Sequence, residues 1–153
     1  RQMCIRDSHH SDTQMDVSTA IRFHPIEIAL SMALKIGLVY ALGTDPLSIL
    51  FFEILLNGSS MFNHANIKIP TRIDKVLRLF IVTPDMHRIH HSSDRNEHDT
   101  NFGFALSVWD RFFRTYKDYP QTKHEDMEIG LNWQDEKPEK LGWSLGLPFR
   151  KNE

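Results

Sequence analysis

The chain has 153 residues, room for one domain with a core of its own. Its 18 basic and 20 acidic side chains leave a net charge of −2 and a pI near 6.5, which gives no electrostatic footprint for nucleic acid. Its one cysteine, Cys4, excludes a disulfide framework and a thiolate metal site.

In chain order, the first informative segment is Ser8-His9-His10-Ser11-Asp12, followed by a polar connection over residues 11–20 and by Arg22-Phe23-His24-Pro25. Two apolar stretches come next. One runs from Ile26 to Gly43, interrupted by Glu27 and Lys35, and the other from Pro46 to Phe62, interrupted by Glu53. Gly43-Thr44-Asp45-Pro46 between them is a turn, with Thr44 or Asp45 capping the second helix. At about 17–18 residues each, the stretches sit at the lower limit for crossing a hydrocarbon core. Taken alone, they fit either a membrane hairpin or two buried helices of a soluble bundle. In a membrane, Glu53 is expected to face protein rather than lipid.

Phe62-Asn63-His64-Ala65-Asn66 and a short extended link from Ile67 to Pro70 follow. The spacing of Ile73, Val76, Leu77 and Phe80 predicts an amphipathic helix over Thr71–Val82, with Arg72, Asp74, Lys75 and Arg78 off the apolar face. Thr83-Pro84-Asp85 then reads as a helix start: an N-cap, a proline at the first helical position, and an acid at the positive end. Behind it stands Met86-His87-Arg88-Ile89-His90-His91-Ser92, an H-x-x-H-H pattern. Positions i, i+3 and i+4 share a helix face, so three imidazoles are directed into one small volume. Burying them together calls for a transition metal. Residues 92–100 read as a charged loop, and Phe102, Phe104, Trp109, Phe112, Phe113 and Tyr116 as core aromatics. From Lys117 on the chain is polar and loop-rich, with a short helix or turn after Asp135.

The histidines cluster. Of 9, 7 fall in the four segments just named, and His9-His10-Ser11 echoes His90-His91-Ser92. Arg6 stands three before His9, where the later pattern has His87. His9 and His10 are therefore ligand candidates beside His87, His90 and His91, a solvated pair being the alternative. His98 and His124 sit among charged residues and are expected to be solvated. Imidazole sites suit iron, zinc, copper or nickel.

The chain resembles the fatty acid hydroxylase/sterol desaturase superfamily of membrane-bound, histidine-rich di-iron enzymes. The resemblance runs from about residue 8 to about residue 118. It is carried by His9-His10-Ser11-Asp12, Phe23-His24-Pro25, His64-Ala65-Asn66 and Thr83-Pro84-Asp85-Met86-His87-Arg88-Ile89-His90-His91-Ser92, then by Asn101-Phe102-Gly103-Phe104 and Trp109-Asp110-Arg111-Phe112-Phe113. The family's first histidine box is absent, and its second has lost the leading histidine to Arg6. Residues 1–7 do not resemble the family and are read as a non-native leader. Arg114 stands where family members generally have glycine, which puts the turn there in question. The expected organisation is the leader, a family domain over 8–118 truncated at its N-terminus, and a tail over 119–153 packed on it.

The resemblance implies an all-α, membrane-associated helical bundle with a histidine-lined di-metal site and a loop-rich tail. It implies two irons, with zinc as a substitute, that activate dioxygen to hydroxylate or desaturate a sterol or fatty-acyl lipid. It places ligands at His9, His10, His64, His87, His90 and His91. His24 matches a recurring family position as a ligand or a residue behind the ligands. Asp12, Asp85, Asp94 and Asp110 are candidates to orient ligands from behind, against solvated or capping roles, and Asn66 and Asn101 against plain turn roles. No haem, flavin or iron–sulfur motif is present, so electrons would come from an external donor protein. The expected location is a bacterial inner membrane or an ER-type membrane. Two other readings stand: a metal-binding fragment without turnover, because histidines are missing, and a zinc hydrolase. The hydrolase lacks the glutamate of H-E-x-x-H, since Arg88 and Ile89 follow His87.

Overall fold

The computed structural model describes residues 7–131 and 140–149. Most of the leader, with Cys4, lies outside these residues, and the short helix expected after Asp135 is formed over Leu141–Gly146. The described chain is all-α, with helices α1 (Asp7–His10), α2 (Pro25–Leu42), α3 (Pro46–Asn63), α4 (Thr71–Leu77), α5 (Pro84–His90), α6 (Arg95–His98), α7 (Val108–Phe113) and α8 (Leu141–Gly146). Short 3-10 turns cover Val17–Ile21 and Leu147–Phe149. Extended pairing among the described residues is limited to two isolated bridges, Ile81 with Leu106 and Ser92 with Ile129.

The two long helices start and stop on local chemistry. His24 Nδ1 accepts from the Ile26 amide, Pro25 takes the first turn, and Gly43 ends α2 in the left-handed region at φ 62°. Asp45 accepts from the amides of Leu47 and Ser48 at 3.0 Å each, and Pro46 opens α3. α2 buries no residue; it is apolar all round and faces outward on every side. Among the described residues it is the one helix long and apolar enough to cross a membrane. α3 has the same length, but Glu53 and then Asn57, Gly58, Ser59, Ser60 and Asn63 toward its end lower its apolar character. Glu53 does face protein: Lys35 Nζ of α2 donates to its Oε1 at 2.7 Å.

Two expectations are corrected. The amphipathic helix stops at Leu77 rather than Val82, because Arg78 is drawn inward. Its guanidinium pairs with Asp74 and with Asp118, and the chain beyond turns to bridge Ile81 with Leu106. The aromatics of residues 102–113 are not core. Phe102, Phe104, Trp109, Phe112 and Phe113 are all exposed, Phe112 at 73%. With Ile73, Val76, Leu79 and Phe80 they form an outward apolar surface. The α7 and α4 ends are tied by Ser107 Oγ and Arg111 Nη2, which both donate to the Arg78 carbonyl.

What the fold buries instead is largely polar: all seven histidines of the four segments, Thr83, Glu97, Asn101 and Asp110. Apolar support comes from Val82, Met86 and Ile89 around α5, and from Leu131, Trp143 and Leu147 in the tail. The tail closes over α1 and the start of α2. Ser8 Oγ donates to the Ser144 carbonyl at 3.0 Å, and His24 Nε2 donates to the Leu145 carbonyl at 3.1 Å.

Candidate metal centre

Three elements aim imidazoles at one point. α5 begins on Thr83, whose Oγ1 accepts from the Met86 amide at 3.4 Å, and it carries His87, His90 and, at its C-cap, His91. His64 caps the C-terminus of α3, and His9 and His10 lie in the single turn of α1. His9, His64, His87 and His91 are all buried, and each offers a ring nitrogen within 4.8 Å of the others.

Backbone carbonyls settle which nitrogen faces inward. A carbonyl only accepts, so the ring nitrogen opposite it carries the proton. His64 Nδ1 donates to the Ser60 carbonyl at 2.7 Å, His9 Nδ1 to that of Arg22 at 3.1 Å, and His90 Nδ1 to that of Thr100 at 2.8 Å. In their neutral forms these rings carry the lone pair on Nε2. His64 Nε2 then stands 3.1 Å from His9 Nε2 and 3.2 Å from His87 Nε2. Facing lone pairs repel unless a cation lies between them. Nitrogens bound to one ion at about 2.1 Å, at tetrahedral or square angles, are about 3.0–3.4 Å apart. The observed separations match.

The rings agree. Two imidazoles on one ion hold their centroids about 4.6–5.5 Å apart. The pairs His9–His64, His9–His91, His64–His87, His64–His91 and His87–His91 lie at 4.9, 4.8, 4.6, 5.2 and 4.9 Å. His91 is fully buried, and both its ring nitrogens are without a hydrogen-bond partner. A buried polar atom in that state calls for a missing partner, and a metal is the partner this donor set fits. Burial pushes the His91 imidazole well below the ordinary 6.5, and His10, His87, His9 and His90 push it the same way. Burial also lowers His64, against the Ser60 carbonyl and the Asp12 charge. Burial thus favours the neutral forms of His64 and His91, as metal ligation requires.

Not all expectations survive this geometry. The H-x-x-H-H histidines diverge: His87 and His91 join the four-histidine set, while His90 turns toward His10, at 4.7 Å between centroids. His24 is committed through both nitrogens to capping α2 and holding the tail, so it is not in the cluster. The groups seen hydrogen-bonded behind His9, His64 and His90 are backbone carbonyls. Asp12 accepts from Thr19 Oγ1 at 2.7 Å, Asp94 caps α6, and Asp85 and Asn66 both engage Arg88. Asp110 accepts from the Gly103 amide at 2.8 Å and from Thr115 Oγ1 at 2.7 Å. Asn101 donates to the Met86 and Lys117 carbonyls at 3.0 Å each. These last two staple the N-F-G and W-D-R segments to each other and to α5.

His98 and His124 are not solvated. Both are half-buried, and His98 lies 4.5 Å from His10, centroid to centroid. Burial lowers His124, which lines a groove of 690 Å³ with Asn66, Asp85, Arg88 and Tyr119; no cluster imidazole lines that groove. Glu97 was also missed. It is buried, accepts from Ser92 Oγ at 2.7 Å and from the Gln121 amide, and pairs with Lys117. The only hint was its place between His-His-Ser and Asn-Phe-Gly.

A family profile, fatty acid hydroxylase, matches residues 3–115. The chain belongs to the fatty acid hydroxylase family. Ornithine lipid hydroxylase OlsE of Rhizobium tropici is 31% identical over 121 residues, 79% of this chain and 36% of that protein. Alkylglycerol monooxygenase of Homo sapiens is 27% identical over 124 residues, 81% of this chain and 26% of that protein. The chain spans little more than a third of the first relative and about a quarter of the second. No solved structure matches it. Membership of the fatty acid hydroxylase family points to oxidoreductase chemistry of the lipid-hydroxylation type, and the buried four-histidine cluster is suited to bind metal.

Proposed function

We propose that this chain carries the metal centre of a membrane-embedded, O2-dependent di-iron oxidoreductase that hydroxylates or desaturates a lipid of the fatty-acyl or sterol type. The observation that carries the reading is the approach of His9 Nε2 and His87 Nε2 to His64 Nε2 at 3.1 and 3.2 Å, beside the partnerless nitrogens of buried His91. Iron bound there would supply dioxygen activation and removal of hydrogen from an unactivated C–H bond; zinc fits the same donors as a substitute.

The protein's own contribution is positional. The Ser60, Arg22 and Thr100 carbonyls hold His64, His9 and His90 in the tautomer that presents Nε2 inward. Val82, Met86 and Ile89 pack behind the ligands and keep water out. α3 leads from exposed apolar residues to buried Ser60, Asn63 and His64, so a lipid chain lying along it would reach the ligands. α2, α3 and the aromatic surface of α7 are the parts that meet the bilayer in this reading. Reducing electrons come from an external donor protein.

A second reading, metal binding without turnover, is favoured by Arg6 standing where the later cluster has His87. One experiment separates the two. The chain is purified in detergent, loaded anaerobically with ferrous iron and assayed for iron per chain. It is then given O2, a reductant and a lipid extract, and the products are read by mass spectrometry. Gain of one oxygen or loss of two hydrogens on an acyl or sterol chain is the expected result. Iron uptake without either change leaves the binding-only reading. Uptake of no iron removes the proposal.

A further inference from the structure

His98 lies outside every segment that carries the family resemblance, yet the fold brings it to the metal centre. Its ring centroid is 4.5 Å from His10, with ring planes at 63°, and 5.9 Å from His90. His10 and His90 are themselves 4.7 Å apart at 74°. The His10–His90 spacing falls within the separation of rings sharing one ion, and the His10–His98 spacing lies just below it. The third corresponds to a wider bond angle, about 125°, for the same bond length. The trio adjoins the first set, since the His10 ring stacks on His91 at 4.6 Å and His87 lies 5.4 Å from His90.

The segment that presents His98 is built to hold it. Asp94 Oδ1 accepts from the Asn96 amide at 2.8 Å, and the His98 amide donates to the Asp94 carbonyl at 2.8 Å, closing one helical turn. The adjacent Glu97 is buried and anchored to Ser92, Gln121 and Lys117. His90, one of the trio, has its Nδ1 held by the Thr100 carbonyl, so in the neutral ring Nε2 carries the lone pair a metal would use. A half-buried ring on a turn pinned at both ends is a preorganised ligand rather than a surface side chain.

We infer that His98 is a ligand of a second metal ion, held with His10 and His90 beside the ion of the His9, His64, His87 and His91 set. This rests on the two-metal reading above. It assigns a ligand that the histidine boxes do not supply, in a chain whose second box has lost one to Arg6.

The test uses the full chain in detergent, titrated anaerobically with Co2+ and followed by visible absorption and by metal content per chain. Wild type is expected to take up two ions with resolvable spectra. His98→Ala should leave the first step unchanged and weaken the second at least about tenfold, the order lost even when groups behind a ligand are removed. His98→Asp, which restores an oxygen donor, should recover part of it with a changed band. His124→Ala should titrate as wild type. Circular dichroism checks that each variant keeps its helices; should His98→Ala lose them, the shifted band of His98→Asp carries the test. Two ions bound by His98→Ala or His98→Asp with wild-type affinity and spectrum would overturn the assignment. Uptake of fewer than two ions by wild type would instead sink the two-metal reading, and His98 with it.

Discussion

At the scale of single residues, the centre depends on which ring nitrogen is bare. The carbonyl of Ser60 holds the His64 tautomer, and His64 Nε2 is the atom shared between the short contacts to His9 and His87. His64→Ala should therefore lower metal bound per chain by at least one ion, measured by elemental analysis. Ser60→Ala keeps the backbone carbonyl and should leave metal content near wild type. Burial also makes the metal-free protein sensitive to acid. His64 and His91 both titrate below their ordinary 6.5 when folded, so the unfolded chain takes up protons first as pH falls. The stability these groups contribute is complete above about 6.5 and is lost as pH drops through that value towards the folded pKa. The thermal midpoint of metal-free protein should be lower at pH 5.5 than at pH 7.5, and an equal or higher midpoint would count against neutral buried imidazoles.

At the scale of elements, the N-F-G and W-D-R segments act through backbone geometry. A Cβ on Gly103 would lie 2.5 Å from Asp110 Oδ2 and 2.9 Å from the Leu106 carbonyl. Gly103→Ala should cost about 1–3 kcal/mol through displacement of the Asp110 staple, read by chemical denaturation. Arg114 behaves oppositely. The turn that its presence put in question does form, with Arg114 in the left-handed region at φ 60° as the C-cap of α7. Arg114→Gly relieves that conformation and should raise stability by about 1 kcal/mol. The elements most legible in the sequence were those with caps and prolines at their starts: α2, α3 and α5 begin at Pro25, Pro46 and Pro84. α4 ended early because the buried pairing of Arg78 with Asp74 and Asp118, a tertiary contact, overrode its amphipathic period. α6 escaped notice because one turn is too short to show a period, although its Asp94 cap was in view.

At the scale of the whole molecule, the distribution of apolar surface is inverted relative to a water-soluble domain. α2 is apolar and outward-facing along its length, and Trp109, Phe112 and Phe113 are exposed at 55%, 73% and 67%. Leaving these exposed apolar side chains in water is costly at about 25 cal/mol per Å², which supports the bilayer as their proposed environment. Trp109 should report this directly. Its fluorescence should shift to the blue when the chain is reconstituted into phospholipid vesicles, and the shift should be missing from Trp109→Phe. A wild-type spectrum unmoved by lipid would place this surface against protein instead.

The family resemblance implied the all-α class and the role of His64, while the sequence by itself determined the starts of the long helices and the shared origin of His87, His90 and His91 on one helix. These follow from short-range rules: a cap, a proline and a spacing of three or four act within one or two turns. Tertiary structure alone decided how the imidazoles are divided. His9 meets His64 across 55 residues, His90 turns away from His87 and His91, and His98 arrives on a turn that Glu97 anchors to the tail. It also decided that backbone carbonyls stand behind His9, His64 and His90, and that the aromatics point outward. No local pattern encodes those outcomes, because each depends on which distant segment fills the space opposite.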